Sequence, residues 1–183
     1  MLKPLRSVLA ICFLLNAIVS FAVDHSTATP PVALPFSIEV NRGQTAPQVK
    51  YLARSPEGVL FFTEQGVTVS VPRVGALRML FESAAMPEIS AEQKMIARSN
   101  YLEHNGQSIT NVENYGALLY SGIYPGIDVR FYGRGRHLEH DFVLAPGADA
   151  GQIALRFEGI NQVSLTRSGA AELTLGKVVL RET

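Results

Sequence analysis

Ile127-Asp128-Val129-Arg130-Phe131-Tyr132-Gly133-Arg134-Gly135-Arg136-His137-Leu138-Glu139-His140-Asp141-Phe142 reads as a β-hairpin. Both arms alternate apolar and polar residues with the period of a pleated strand, and glycines stand where the chain must reverse. A loop closed at Arg134-Gly135, or one spanning Gly133 to Arg136, gives the same register. One face then carries Ile127 opposite Phe142, Val129 opposite His140 and Phe131 opposite Leu138. The other carries Asp128 opposite Asp141, Arg130 opposite Glu139 and Tyr132 opposite His137. A slip of one residue on one strand would mix the faces, so the pattern supports the pairing. His140 becomes the one polar group turned toward the core. Tyr124-Pro125-Gly126 and Ala145-Pro146-Gly147 bracket the hairpin as type II turns, with Pro at the second position and Gly at the third.

Outward from this hairpin, short runs of β-formers recur between Gly, Pro, Asn and Asp. They are Phe36 to Val40, Val49 to Arg54, Val59 to Thr63, Val67 to Val71, Leu77 to Phe81, Ile153 to Phe157, Val163 to Thr166, Glu172 to Leu175 and Val178 to Leu180. Many strands at close spacing predict an all-β fold, an antiparallel β-sandwich or barrel-like sheet. One short surface helix is expected at Ala91 to Arg98, after the N-cap candidate Ser90. Asn41-Arg42-Gly43-Gln44 follows the first strand and precedes Pro47. Asn41 and Gly43 there are turn chemistry, and Gln44 reads as a buried structural residue.

The N-terminus carries an address. Lys3 and Arg6 precede an uncharged, mostly apolar run from Ser7 to Ala22, and Ser20-Phe21-Ala22 offers small residues where a signal peptidase cuts. The run is shorter than the ~20 residues that span a bilayer. The expected organisation is therefore a signal peptide over 1–22, an extended linker over 23–33 containing Pro30 and Pro31, and one β-rich domain over 34–183. The expected localisation is secreted or cell-surface. Cys12 has Ile11 before it, where a lipoprotein signal needs a small residue. Cleavage would leave 161 of the 183 residues, a size that supports a core, and would remove the chain's one Cys. It would also take the 16 basic residues to 14 against 16 acidic ones, a formal charge of −2 with the signs interspersed. That distribution gives no footprint for nucleic acid or for a membrane surface.

Chemistry-bearing residues are densest at His137-Leu138-Glu139-His140-Asp141. On a strand, residues three apart point to opposite faces, so His137 and His140 do not converge on one metal. Asp128 opposite Asp141 is an unfavourable like-charge pair. Either Arg130 or His137 sits between the two, the preferred reading, or a hard cation such as calcium does. No nucleophile elbow, dinucleotide-binding glycine pattern or P-loop is found in the sequence.

A wider set of residues carries a family likeness. Leu34-Pro35-Phe36 through Asn41, Gly43 and Gln44 belongs to it, with Val49-Lys50-Tyr51-Leu52-Ala53-Arg54, Ser99-Asn100-Tyr101 and Tyr124-Pro125-Gly126-Ile127-Asp128-Val129. So do Leu138, Glu139, Asp141, Phe142 and Val143, followed by Ala145-Pro146-Gly147-Ala148-Asp149. Together they resemble the N-terminal domain of unknown function in bacterial exported proteins with SBBP, that is β-propeller-type, repeats. The resemblance implies a domain followed by such repeats, and a chain ending at Thr183 in mid-pattern, hence a truncated version. It brings no catalytic residues and no cofactor.

The function expected from all of this is a non-enzymatic, exported structural or interaction module. Its partners would be other protein modules or cell-surface components, with edge strands offering main-chain pairing. Two rival readings have stated requirements. A carbohydrate-binding module needs an exposed row drawn from Tyr115, Tyr120, Tyr124 and Tyr132. A hydrolase needs Asp128, Glu139, Asp141 and His137 to line a cleft.

Overall fold

Alternating side chains commit most of this chain to strands, and the computed structural model bears that pattern out over residues 12–14, 16–17, 36–56, 58–104, 106–167 and 169–182, which it describes. The linker expected over 23–33 and most of the leader lie outside the described residues. The strands are β1 (Cys12–Leu14), β2 (Asn16–Ala17), β3 (Ile38–Val40), β4 (Tyr51–Arg54), β5 (Val59–Thr63), β6 (Gly66–Val71), β7 (Gly75–Phe81) and β8 (Glu88–His104). They continue as β9 (Gln107–Tyr124), β10 (Ile127–Arg134), β11 (His137–Leu144), β12 (Leu155–Glu158), β13 (Gln162–Leu165), β14 (Ala171–Leu175) and β15 (Val178–Glu182). A single 3₁₀ turn, Ala150–Gln152, is the helical content of the described residues.

Eleven strands form one antiparallel sheet in the order β1-β11-β10-β9-β3-β4-β5-β6-β7-β12, with β8 laid along β9. The order β13-β14-β15-β2 makes a second, small sheet. The large sheet curls into a half-barrel, so the protein is all-β as the sequence predicts. β9 organises the curl. One of its edges pairs with β8, and the other pairs first with β3, at Asn114 and Tyr115, and then with β10, from Ala117 to Tyr124. β3 and β10 therefore meet nearly end to end, and Phe36, just ahead of β3, packs over Gly133 near the end of β10. The curl encloses a core in which Phe131 meets Phe62 at 5.6 Å, Tyr120 at 5.2 Å and Phe81 at 6.3 Å between ring centroids.

The hairpin of β10 and β11 forms, but two residues away from the register expected above. Arg130 lies opposite Asp141, Phe131 opposite His140, Tyr132 opposite Glu139 and Arg134 opposite His137, and Asp128 faces Val143. The loop is Gly135-Arg136, with Gly135 at φ 64, the positive φ that the first position of a type II′ turn demands. Gly133 is not a turn residue. A Cβ at Gly133 would sit 2.3 Å from the Cβ of Phe36, so this glycine exists to admit that ring. A shift of two leaves every side chain on its face, which is why the apolar and polar faces survive the change.

The helix expected at Ala91 to Arg98 is replaced by the middle of β8. Pairing with β9 overrides local propensity: Ile89 and Ala91 pack on the core, while Glu88, Ser90, Glu92 and Lys94 take the other face. Two irregularities hid this strand. Gln93 adopts φ 56, its side chain lying over Gly116, and the register slips by two residues between Lys94 and Arg98. The Ser99-Asn100-Tyr101 motif anchors the outer part of the same hairpin. Asn114 Nδ2 donates to Ser99 Oγ at 3.1 Å, and the Asn111 amide donates to Asn100 Oδ1 at 2.8 Å. Tyr101 donates its hydroxyl proton to the buried carboxylate of Glu39 on β3, and Arg54 of β4 donates to that hydroxyl oxygen at 3.0 Å.

Candidate functional site

The loop over 41–49, between β3 and β4, is held by two side chains. Asn41 Oδ1 accepts from the Gly43 amide at 3.0 Å, an Asx turn, and its Nδ2 donates to the carbonyls of Ala46 at 3.0 Å and Val49 at 2.8 Å. Gln44 is buried, accepts from the Arg42 amide and donates to the Val40 carbonyl at 2.9 Å. Gly43 supplies φ 107, a conformation that side-chain-bearing residues avoid. The turn chemistry of Asn41, Gly43 and Gln44 thus folds the loop back against the sheet and fixes its shape.

This fixed loop walls two adjoining cavities. The larger, of about 830 Å³, lies between the loop and Tyr51, Pro87 and Ile89. The smaller, of about 520 Å³, lies between it and Phe61, Arg78 and Met86. Thr45, Val49 and Glu64 line both, so the two read as one groove crossed by the loop. Its lining mixes Val40, Val49, Phe61 and Ile89 with the polar side chains of Thr45, Thr68 and Arg78. Lys50 Nζ and Glu64 Oε1 form an ion pair at 3.1 Å on its rim, both side chains reaching solvent. Tyr51 stands edge-on to Tyr115 at 6.3 Å, and burial holds its hydroxyl above the ordinary tyrosine pKa. Volumes of this size suit a small ligand or an inserted side-chain cluster.

The residues singled out from sequence distribute as follows. Pro125-Gly126 and Pro146-Gly147 turn the chain at the open end of the hairpin, with Gly126 at φ 72 and Gly147 at φ 88. The Ala145 amide donates to the Gly126 carbonyl at 2.8 Å, and the Ala148 amide to the Ala145 carbonyl at 3.0 Å. Asp128 Oδ1 accepts from the Gly122 amide at 2.7 Å, beside the register shift between β9 and β10. Asp128 and Asp141 do not face each other, because the register pairs Asp141 with Arg130. The like-charge opposition that suggested calcium is therefore not formed, and among the described residues no three His, Cys, Asp or Glu side chains gather as a metal site.

On the same polar face Arg130 Nε donates to Glu92 at 2.8 Å, and its guanidinium lies 5.5 Å over the Tyr132 ring. Arg134 approaches the buried Glu139 carboxylate at 3.6 Å. Burial, followed by the carboxylates of Asp141 and Glu139, pushes the Tyr132 hydroxyl up to about 12. His137 and His140 lie on opposite faces. His140 is buried between Phe131 at 5.4 Å and Phe142 at 5.5 Å, and desolvation pulls its pKa down to about 4, with Asp141 offsetting part of the effect.

The tyrosine row needed for a sugar platform is not exposed as required. Tyr120 and Tyr124 are core residues: Tyr120 donates to the Thr63 carbonyl at 3.0 Å, and Tyr124 reaches the carbonyls of Glu82 at 3.0 Å and Ala154 at 2.9 Å. Their aromatic bodies fill the interior while the hydroxyls satisfy backbone oxygens that the curl would otherwise strand. Sequence reasoning located the loop of the groove but missed its facing wall. Glu64, Met86 and Ile89 carry no motif and meet the loop only through the fold.

Fold and groove together define an all-β domain with a rigid, loop-built surface site. A family model described as a domain of unknown function, DUF7948, matches residues 38–183, and the chain belongs to that family. No curated protein and no solved structure matches it.

Proposed function

We propose that this domain is a non-enzymatic, exported interaction module that stands beside β-propeller-type repeats in a secreted or cell-surface protein. The leader pattern over 1–22 supports export, and the residues shared with the SBBP-repeat proteins support the setting. The observation that carries the reading is the groove astride loop 41–49. Its walls mix apolar side chains such as Val49, Phe61 and Ile89 with polar ones such as Thr45 and Thr68, its rim carries the Lys50–Glu64 pair, and the loop is braced by side-chain bonds before any partner arrives. Such preorganisation lowers the ordering cost of binding, which is what an interaction site needs. The groove takes an apolar segment of a neighbouring module, with the ion pair fixing its orientation.

The test uses the full chain in a bacterial host, with a photo-crosslinking amino acid in place of Met86 on the groove wall. The expected result is a processed chain beginning at Val23 in the extracytoplasmic fraction, and a discrete protein adduct that Val49→Asp abolishes. An unprocessed chain retained in the cytoplasm would remove the exported setting. Absence of any adduct from correctly exported protein would remove the groove as a contact site.

A further inference from the structure

Two sheet edges in this fold are held by residues that export would remove. β1 pairs with β11, setting Cys12 opposite Asp141, Phe13 opposite His140 and Leu14 opposite Glu139. β2 pairs with β15, setting Asn16 opposite Arg181 and Ala17 opposite Leu180. One short stretch of chain thus bridges the end of the large sheet to the end of the small one, so the edges of β11 and β15 lie where a single extended strand serves both. That stretch falls inside the leader over 1–22. Removing the leader leaves both edges open.

The residues that follow the cleavage point do not suit the vacated seat. Pro30, Pro31 and Pro35 lack the amide donor that a ladder needs, and Asp24-His25-Ser26-Thr27 breaks the alternation of a half-buried strand. The seat itself defines what fits. Residues directly opposite across a strand pair share a face, so those opposite His140 and Leu180 turn toward the core, where these two are 2% and 1% exposed. Apolar side chains belong there. Residues opposite Glu139 and Asp141 turn to the polar face, where the Glu139 carboxylate is buried and Asp141 Oδ1 is buried without a hydrogen-bond partner. Donors belong there, best of all lysine or arginine. The leader sets Leu14 and Cys12 at those positions, matching the length of the seat but not its charge.

From these pairings we infer that β11 and β15 together form a strand-docking edge. The leader covers it in the precursor, and after cleavage an extended strand of a separate polypeptide, alternating apolar and basic residues, takes its place antiparallel to β11. The inference rests on the exported reading for the removal of 1–22. Main-chain bonds to the open edge give such a strand its hold, and the alternating side chains give it selectivity. A covered edge also keeps the precursor from pairing with other chains.

The full chain with a protease site inserted between Ala22 and Val23 tests this without signal peptidase. The probe is a short fluorescent peptide alternating lysine and valine, read by anisotropy. It should bind once the leader fragment is cut and removed, and on the order of a hundredfold more weakly before the cut, because a tethered leader competes at a millimolar effective concentration. N-methyl groups on one alternate set of peptide residues abolish binding, and on the other set leave it intact. Asp141→Lys weakens the lysine peptide and favours its glutamate counterpart. Equal binding before and after the cut overturns the inference, as does equal binding of a shuffled peptide or an equal response to both N-methylated peptides. Loss of the β-sheet circular dichroism on removing the leader overturns it too, as does a cut chain that binds no peptide and pairs with its own copy instead. Specific binding after this cut, in a chain that bacteria leave unprocessed, supports the seat and removes the exported reading alone.

Discussion

His140 ties the stability of this domain to pH in a calculable way. Its imidazole is 2% exposed, packed between Phe131 and Phe142, and burial lowers its pKa from 6.5 to about 4. Between those values the unfolded chain binds a proton that the folded chain refuses. The folded state is therefore fully favoured above pH 6.5 and loses stability as pH falls toward 4. From about pH 7.5 to about pH 4.5 this one group costs about 2.5 kcal/mol, a large share of the stability of an ordinary domain. The assay is urea unfolding at both pH values for the native chain and for His140→Leu, which keeps an apolar side chain of similar bulk. Carboxylates distant from His140 contribute alike to both proteins and cancel in the comparison, while the Asp141 interaction is already contained in the His140 shift. The native chain should lose about 2.5 kcal/mol more than the variant over this range. An equal loss in both would refute the claim that a neutral, desolvated imidazole occupies this position.

Two further outcomes follow from the geometry of glycine and asparagine. Gly133→Ala drives a methyl into Phe36 and should destabilise the protein by about 1–3 kcal/mol, and by more than Gly135→Ala, whose added methyl meets open space and suffers only the positive φ. Thermal melts of the two variants compare the positions directly. Asn41→Ala removes the acceptor for the Gly43 amide and the donor to Ala46 and Val49. It should cost about 1–3 kcal/mol and open loop 41–49 to limited proteolysis well before the rest of the domain.

β10 and β11 were legible because each alternates apolar and polar residues, and β5 because its run of Val, Leu and Phe is bounded by turn residues. The hairpin register was legible only to within one pleat period. Sequence shows two glycines near the reversal, but which of them turns the chain is decided by Phe36, almost a hundred residues earlier. β8 was illegible for a related reason. Gln93 in the left-handed region and the bulge after Lys94 break the alternation that marks a strand, and the charges between them imitate a surface helix. At the groove, Asn41 and Gln44 announced a structured loop, since their local bonds follow from spacing. Glu64 and Ile89 face that loop through strand order alone, which no local pattern encodes. Whether Tyr120 and Tyr124 stood on the surface, as a sugar platform requires, was decided by the curl of the sheet, which buries them and supplies backbone carbonyls for their hydroxyls.

The seating of β3 against β9 governs when this protein can fold. β3 pairs locally with β4, Ile38 opposite Ala53, but its other side waits for Tyr115 of β9, and Glu39 for Tyr101, so this strand is fully seated only when the long hairpin downstream has been made. That closure joins residues far apart in the chain and is the slow, entropically costly part of the fold, whereas the β3 to β7 pairings are local. The meander from β3 to β7 can pair as it emerges, but the closed core of this design is complete only after β9 and β10 have left the ribosome.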